Sequence, residues 1–261
     1  MTNLGLPDVR HVAFAGDWHG QAQYARRAIN HLTLGDGPHV DAVLHLGDFG
    51  YKFTADYLNQ IQAAARRADL IVAFVDGNHE DFDWLLAQPV DNDGVRRLRD
   101  RVWHLPRGLR WEWSGKQFLA LGGAVSVDKY GRTPGASWWP QETITDAQAW
   151  AAIADGPADI MVCHDTPAGY EIPRLGDPNM WAEGLIRASN QHRELLAEVV
   201  NLVRPRYLWH GHYHVPRYAL QFGDCRIAGL DCDGNPFHEN LEVIDLLNLP
   251  AHGGSFARAR P

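Results

Sequence analysis

Cysteine is scarce in this sequence: Cys163, Cys225 and Cys232 are its three occurrences in 261 residues. An odd count without paired spacing argues against a disulfide framework or a cysteine-held zinc, and fits reduced thiols in the cytosol. Positive charge is also in deficit. Lys and Arg number 24 against 32 Asp and Glu, a formal charge of -8, which argues against general affinity for nucleic-acid backbones. No apolar run approaches the roughly 20 residues that cross a bilayer. The start, "MTNLGLPDVRH", lacks the basic-then-apolar pattern of a secretory signal. These absences lead us to expect a cytoplasmic protein with no membrane partner.

Histidine, by contrast, is plentiful at 14 residues, and imidazole is the commonest metal-ligating side chain. The apolar share of 45% is ordinary for a globular chain with a substantial core. We expect one domain over residues 1–250 and a mobile tail over 251–261, where "AHGGSFARARP" has tail composition.

The first third alternates strand and helix signals. "VRHVAFA" (9–15), "DAVLHL" (41–46) and "LIVAFV" (70–75) read as strands. Helical spacing predicts helices over 21–32, through Tyr24, Ala28 and Leu32, and over 53–68, through Tyr57, Leu58, Ile61 and Ala65. Continuous apolar strands alternating with helices indicate an α/β fold with a parallel sheet covered on both faces. The second half is richer in strands. "RVWHL", "LRWEW" and "KQFLALGG" suggest antiparallel pairs. Helices are predicted at 145–154, capped by Thr145, and near 190–203.

Each early strand stops at a polar cluster: "GDWHG", then "GDFG", then "GNHE". Any one of them is ordinary turn chemistry. Three at successive strand ends are not, because ligands of open α/β sheets bind at the carboxyl edge of the strands. Asp17, His19, Asp48, Asn78 and His79 would converge there. Two later strands end in "MVCHD" and "LWHGHYH", adding His164, His212 and His214. Oxygen donors plus imidazoles without thiolate suit divalent Mn, Fe, Zn or Co.

The ordered set "GDWHG…GDFG…GNHE…H…GHYH" resembles the calcineurin-like metallophosphoesterase superfamily over residues 16–214. The resemblance implies two packed mixed β-sheets flanked by helices in four layers, and hydrolysis of phosphoesters by a metal-activated water. It implies two divalent transition-metal ions, with manganese expected and Fe, Zn, Ni or Co as alternatives. Asp17, His19 and His214 would hold one ion, Asn78, His164 and His212 the other, with Asp48 bridging. His79 would protonate the leaving oxygen.

"GNHE" is similar to the protein Ser/Thr phosphatase branch, yet "FGYKF" stands where that branch carries "VDRG" and its phosphate-gripping arginine. The size resembles bacterial and phage phosphodiesterases acting on small or cyclic nucleotide-type diesters, so a small phosphoester is the expected partner. A phosphomonoesterase and a non-catalytic metal-binding scaffold are the alternatives. The segment 122–142 holds Arg132, suited to a phosphate oxygen, and Trp138, suited to a base face. The opposing reading packs Trp138 and Trp139 as core. His210, though in phase with His212 and His214, is assigned to the core. His11 and His45 are assigned to buried structural places. His31, His39, His104, His192, His238 and His252 are assigned to surface or loop places, and Cys163 to a small buried thiol.

Overall fold

The computed structural model describes residues 2–34, 37–177 and 180–249. The expected tail, 251–261, and His252 within it lie outside the described residues. The first third forms β1 (His11–Ala15), α1 (Ala22–His31), β2 (Ala42–His45), α2 (Ala55–Ala68) and β3 (Ile71–Phe74). β1 to β3 pair in parallel, and every residue of β2 and β3 is buried. Tyr24 and Ala28 of α1, and Tyr57, Leu58, Ile61 and Ala65 of α2, join one apolar core against this sheet. Leu32 falls just past the end of α1 and is only partly buried. Thr54 caps α2 by accepting the Tyr57 N–H, and Asp69 ends it in the left-handed conformation.

The short α3 (Phe82–Leu86) leads to β4 (Arg96–Arg99) and β5 (Val102–His104), an antiparallel pair. β5 adds parallel to β3, while the final strand β12 (Leu241–Asp245) returns antiparallel to β1. The first sheet therefore runs β12-β1-β2-β3-β5-β4.

The second sheet collects β6 (Arg110–Trp113), β7 (Lys116–Leu121), β8 (Ile160–Cys163), β9 (Tyr207–His210), β10 (Tyr218–Phe222) and β11 (Cys225–Gly229) in the order β10-β11-β9-β8-β7-β6. Its middle pairs are parallel and its two edge pairs antiparallel. α4 (Asp146–Ala154), opened by a Thr145–Gln148 capping box, and α5 (Glu183–Val203) cover one face through Ala149, Ala152, Leu196, Val199 and Val203. The other face meets the first sheet. Phe14 stacks on Trp209 at 3.9 Å, inside a core that joins Leu44, Leu46 and Val75 to Trp111, Phe118 and Val162. These are the two mixed, helix-flanked sheets expected.

Some expectations need correction. α5 begins at Glu183, well before residue 190, because Leu185 and Ser189 extend its buried face through a stretch in which Gly184 weakens the helical signal. His104 and His192 are buried, not exposed. Each meets a carboxylate distant in sequence: His104 Nε2 lies 3.2 Å from Asp76, and His192 Nδ1 lies 2.8 Å from Asp165. Such pairing makes burial of a polar ring tolerable. His45 is fully buried, whereas His11 is half-buried beside Asp245.

Candidate metal centre

The candidate side chains all stand just beyond strand ends: Asp17 and His19 after β1, Asp48 after β2, Asn78 and His79 after β3. His164 follows β8, and His212 and His214 follow β9. Two glycines let these segments close together. A Cβ at Gly211 would overlap the Asp17 carboxylate, and one at Gly77 would overlap that of Asp48. His19, Asp48, His212 and His214 have φ of 45°, 54°, 74° and 48°. Left-handed backbone is uncommon outside glycine and gathers at functional sites.

Two buried carboxylates form the middle of the cluster. Asp17 accepts the His212 N–H at 3.2 Å and a hydrogen bond from His214 Nε2 at 2.9 Å. Asp48 Oδ1 accepts the N–H groups of Asn78 and His79, each at 2.9 Å. Asp48 Oδ2 lies 3.5 Å from His19 Nε2 and 3.8 Å from His79 Nε2. One ligand atom from each of Asp17, His19, Asp48 and His214 falls within 4.8 Å of the others.

Charge follows from this crowding. Burial opposes ionisation of both acids, but the facing imidazoles outweigh it. Asp17 is held at about 2 by His214 and His164, and Asp48 well below the carboxylate range by His79, His164 and His19. Burial likewise opposes a charged His19, yet Asp233, Asp48 and Asp17 raise it to about 11. His214 is raised against its burial by the bond to Asp17. Burial and His164 push His212 down to about 3, leaving a neutral ring. These acids favour the protonated forms of His19 and His214, and metal binding there would release protons.

The geometry tests whether a cation fits. His164 Nδ1 donates to the Leu46 carbonyl at 2.7 Å, so in the neutral ring that a metal would require the lone pair is on Nε2. That lone pair faces Asn78 Oδ1 at 3.0 Å and Asp48 Oδ1 at 3.4 Å. The Asn78 amide is oriented by its other end. Its Nδ2 donates to Ser126 Oγ at 3.0 Å, and Ser126 donates to Glu142 at 2.5 Å. Acceptor thus faces acceptor, the arrangement a cation resolves. His19 Nε2 is also buried without a hydrogen-bond partner, while its Nδ1 is fixed by Asp233 at 2.6 Å. The residues fit a divalent ion. Asp233, Ser126 and Glu142 escaped the sequence reading; "DCDGN" signals only a turn, and Ser126 and Glu142 carry no local signal.

Arg132 reaches the centre as well. Its Nη2 donates to His79 Nε2 and also pairs with Asp128 at 2.8 Å. Burial and this guanidinium push His79 down to about 4, against the pull of Asp48. Trp138 lies under the Lys129 ammonium, 3.9 Å from the ring centroid, while Trp139 is buried. His210 stands apart, fully buried, with Nε2 2.8 Å from the Tyr218 hydroxyl and Nδ1 2.9 Å from the Gly211 carbonyl. Cys163 is buried and its thiol is pushed up by that burial. A cavity of about 360 Å³ opens over the centre, lined by Asp48, Asn78, His79, His212, His214 and Arg132 among others. Trp138 is not among its described lining residues.

Among the curated proteins, none matches this sequence. Solved structures share the fold at low identity. TT1561 of Thermus thermophilus is 13% identical with a TM-score of 0.53, over 91% of this chain and 99% of that one. A dimetal phosphatase from Danio rerio is 13% identical with a TM-score of 0.55, over 90% and 92%. The sequence pattern of the calcineurin-like phosphoesterases matches residues 10–216, a span that contains every clustered side chain from Asp17 to His214. On that match, this chain belongs to the calcineurin-like phosphoesterase family.

Proposed function

We propose that this chain hydrolyses small phosphoesters with two divalent transition-metal ions, manganese foremost, and that nucleotide-type diesters are its substrates. Asp17, His19 and His214 would hold one ion and Asn78, His164 and His212 the other. The observation that carries this reading is that Asp48 belongs to both groups: Oδ1 lies beside His164 Nε2 and Oδ2 beside His19 Nε2. The likeness in fold to a dimetal phosphatase supports a pair. Ions held there would supply Lewis acidity toward the phosphoryl oxygens and acidify a water for attack.

The chain's own side chains supply the remaining steps. Arg132 binds a phosphoryl oxygen. His79 begins neutral, its Nε2 accepting from Arg132. An anionic phosphoryl group entering between them takes over the guanidinium, and the freed Nε2 takes up a proton from solvent to form an imidazolium that the anion stabilises. As the water oxygen bonds to phosphorus, losing its proton to solvent, the ester bond breaks and His79 gives its proton to the leaving oxygen. Among the described residues lining the cavity the cations, histidines aside, are Arg132 and Arg193. Arg193 is committed to the carbonyls of Thr166, Pro167 and Tyr170. Arg132, although it also pairs with Asp128, is then the one of the two directed at the centre. We take a single guanidinium to suit the single charge of a diester better than the double charge of a monoester.

All three cysteines are unpaired, which supports work in a reducing cytoplasm, and no described helix is long and apolar enough to cross a membrane. The test is a comparison of bis(p-nitrophenyl) phosphate with p-nitrophenyl phosphate in manganese-loaded protein. Faster turnover of the diester is expected. Turnover of the monoester alone would make the chain a phosphatase, and turnover of neither, with metal bound, would make it a scaffold.

A further inference from the structure

The cavity above the candidate metal centre has two unlike walls. Its floor is polar and anchored, with Asp48 1% and Asn78 2% exposed. Apolar side chains from one stretch of chain, Leu175, Met180, Trp181 and, on α5, Ile186, form a second part of the lining, beside the polar Asp177, Ser189, Asn190 and Arg193. Three of the apolar four are large and open to solvent: Leu175 at 45%, Met180 at 73% and Trp181 at 41%. A single exposed apolar residue needs no explanation, whereas several together beside a polar centre mark a binding surface. A mainly apolar lining with a few placed polar groups, at this volume, describes a small-molecule site.

We infer that this wall binds the organic group of the substrate, and that the group is a planar aromatic ring. The inference rests on the phosphoesterase reading, because it is the phosphoryl group on the floor that brings the rest of the molecule against the wall. Continuity settles the occupant: wall and floor line one cavity. Residue type settles its shape. Trp181 offers a flat face for offset stacking, and Met180 offers a polarisable thioether that packs favourably against rings. Trp138 lies beneath Lys129 instead. Ring recognition therefore falls to Met180 and Trp181, just before α5, where the sequence carries no motif.

The test measures binding, not turnover. Methylphosphonate, cyclohexylphosphonate and phenylphosphonate, none with a cleavable ester bond, are titrated calorimetrically into manganese-loaded protein. Phenylphosphonate is expected to bind most tightly. Trp181→Ala should weaken phenylphosphonate about fivefold to tenfold while leaving methylphosphonate unchanged. Met180→Ala should act in the same direction, and a melting curve of each variant checks that the fold is retained. Equal binding of phenyl- and methylphosphonate would overturn the inference and leave the phosphoesterase reading standing. Equal binding of phenyl- and cyclohexylphosphonate would overturn the assignment of a ring. Failure of all three to bind, with metal in place, would remove the phosphoesterase reading and this inference together.

Discussion

At the scale of single residues, the site is governed by which atom of each ligand is already spoken for. The Leu46 carbonyl takes His164 Nδ1, so Nε2 faces the centre; Asp233 takes His19 Nδ1, with the same consequence. Asn78 depends on Ser126 in this way, since the two ends of an amide differ only in their partners. Ser126→Ala removes the acceptor of Asn78 Nδ2 and frees the amide to turn its N–H₂ inward. Manganese affinity, followed by calorimetry, should fall about tenfold to a hundredfold, and Ser126→Thr should restore it. Unchanged affinity in Ser126→Ala would show that Asn78 needs no such support. The metal-ligand candidates were legible in sequence because each sits within four residues of a strand end, in an order of motifs that resembles a known family. Asp233, Ser126 and Glu142 were not, for they act on a side chain 214, 48 or 16 residues away.

Among elements, the segment 122–142 acts as a clamp on the end of β3. Ser126 holds Asn78 and Arg132 meets His79, so both residues of the "NH" pair in "GNHE" are set by one loop. Its base is secured by Arg107, which donates to the carbonyls of Gln141, Glu142 and Thr143. Arg132 lowers His79 by charge, so Arg132→Ala should raise the His79 pKa from about 4 toward the ordinary value for histidine. Titration by proton NMR of the metal-free protein reads this directly; a fall, or no movement, would contradict the contact. In turnover the same variant should raise KM for a diester. The parallel strands and their helices were readable from periodicity alone. The early start of α5 and the burial of His104 and His192 were not, since helix length and histidine burial depend on partners supplied by the other elements.

For the whole molecule, the two sheets bury a large polar load as well as an apolar core, and stability should record it. His210 is fully buried and lowered to about 4 by that burial, held against it only in part by the Gly211 carbonyl. The unfolded chain takes up this proton below about 6.5 while the native state does not. Its contribution is therefore complete above pH 6.5 and is lost as the pH falls toward 4. Between pH 7 and pH 5, urea unfolding of chelated protein should lose roughly 2 kcal/mol more in the native sequence than in His210→Asn. Equal losses would mean that His210 titrates normally.

Both sheets also deliver their strand ends to one place, and the proposed activity depends on what that place holds. The most direct measurement is the rate of bis(p-nitrophenyl) phosphate hydrolysis as manganese is titrated into exhaustively chelated protein, with bound metal counted in parallel. The expected curve starts at no activity and reaches its plateau at two ions per chain. Full activity in metal-free protein, or a plateau reached with one ion bound, would contradict a centre bridged by Asp48.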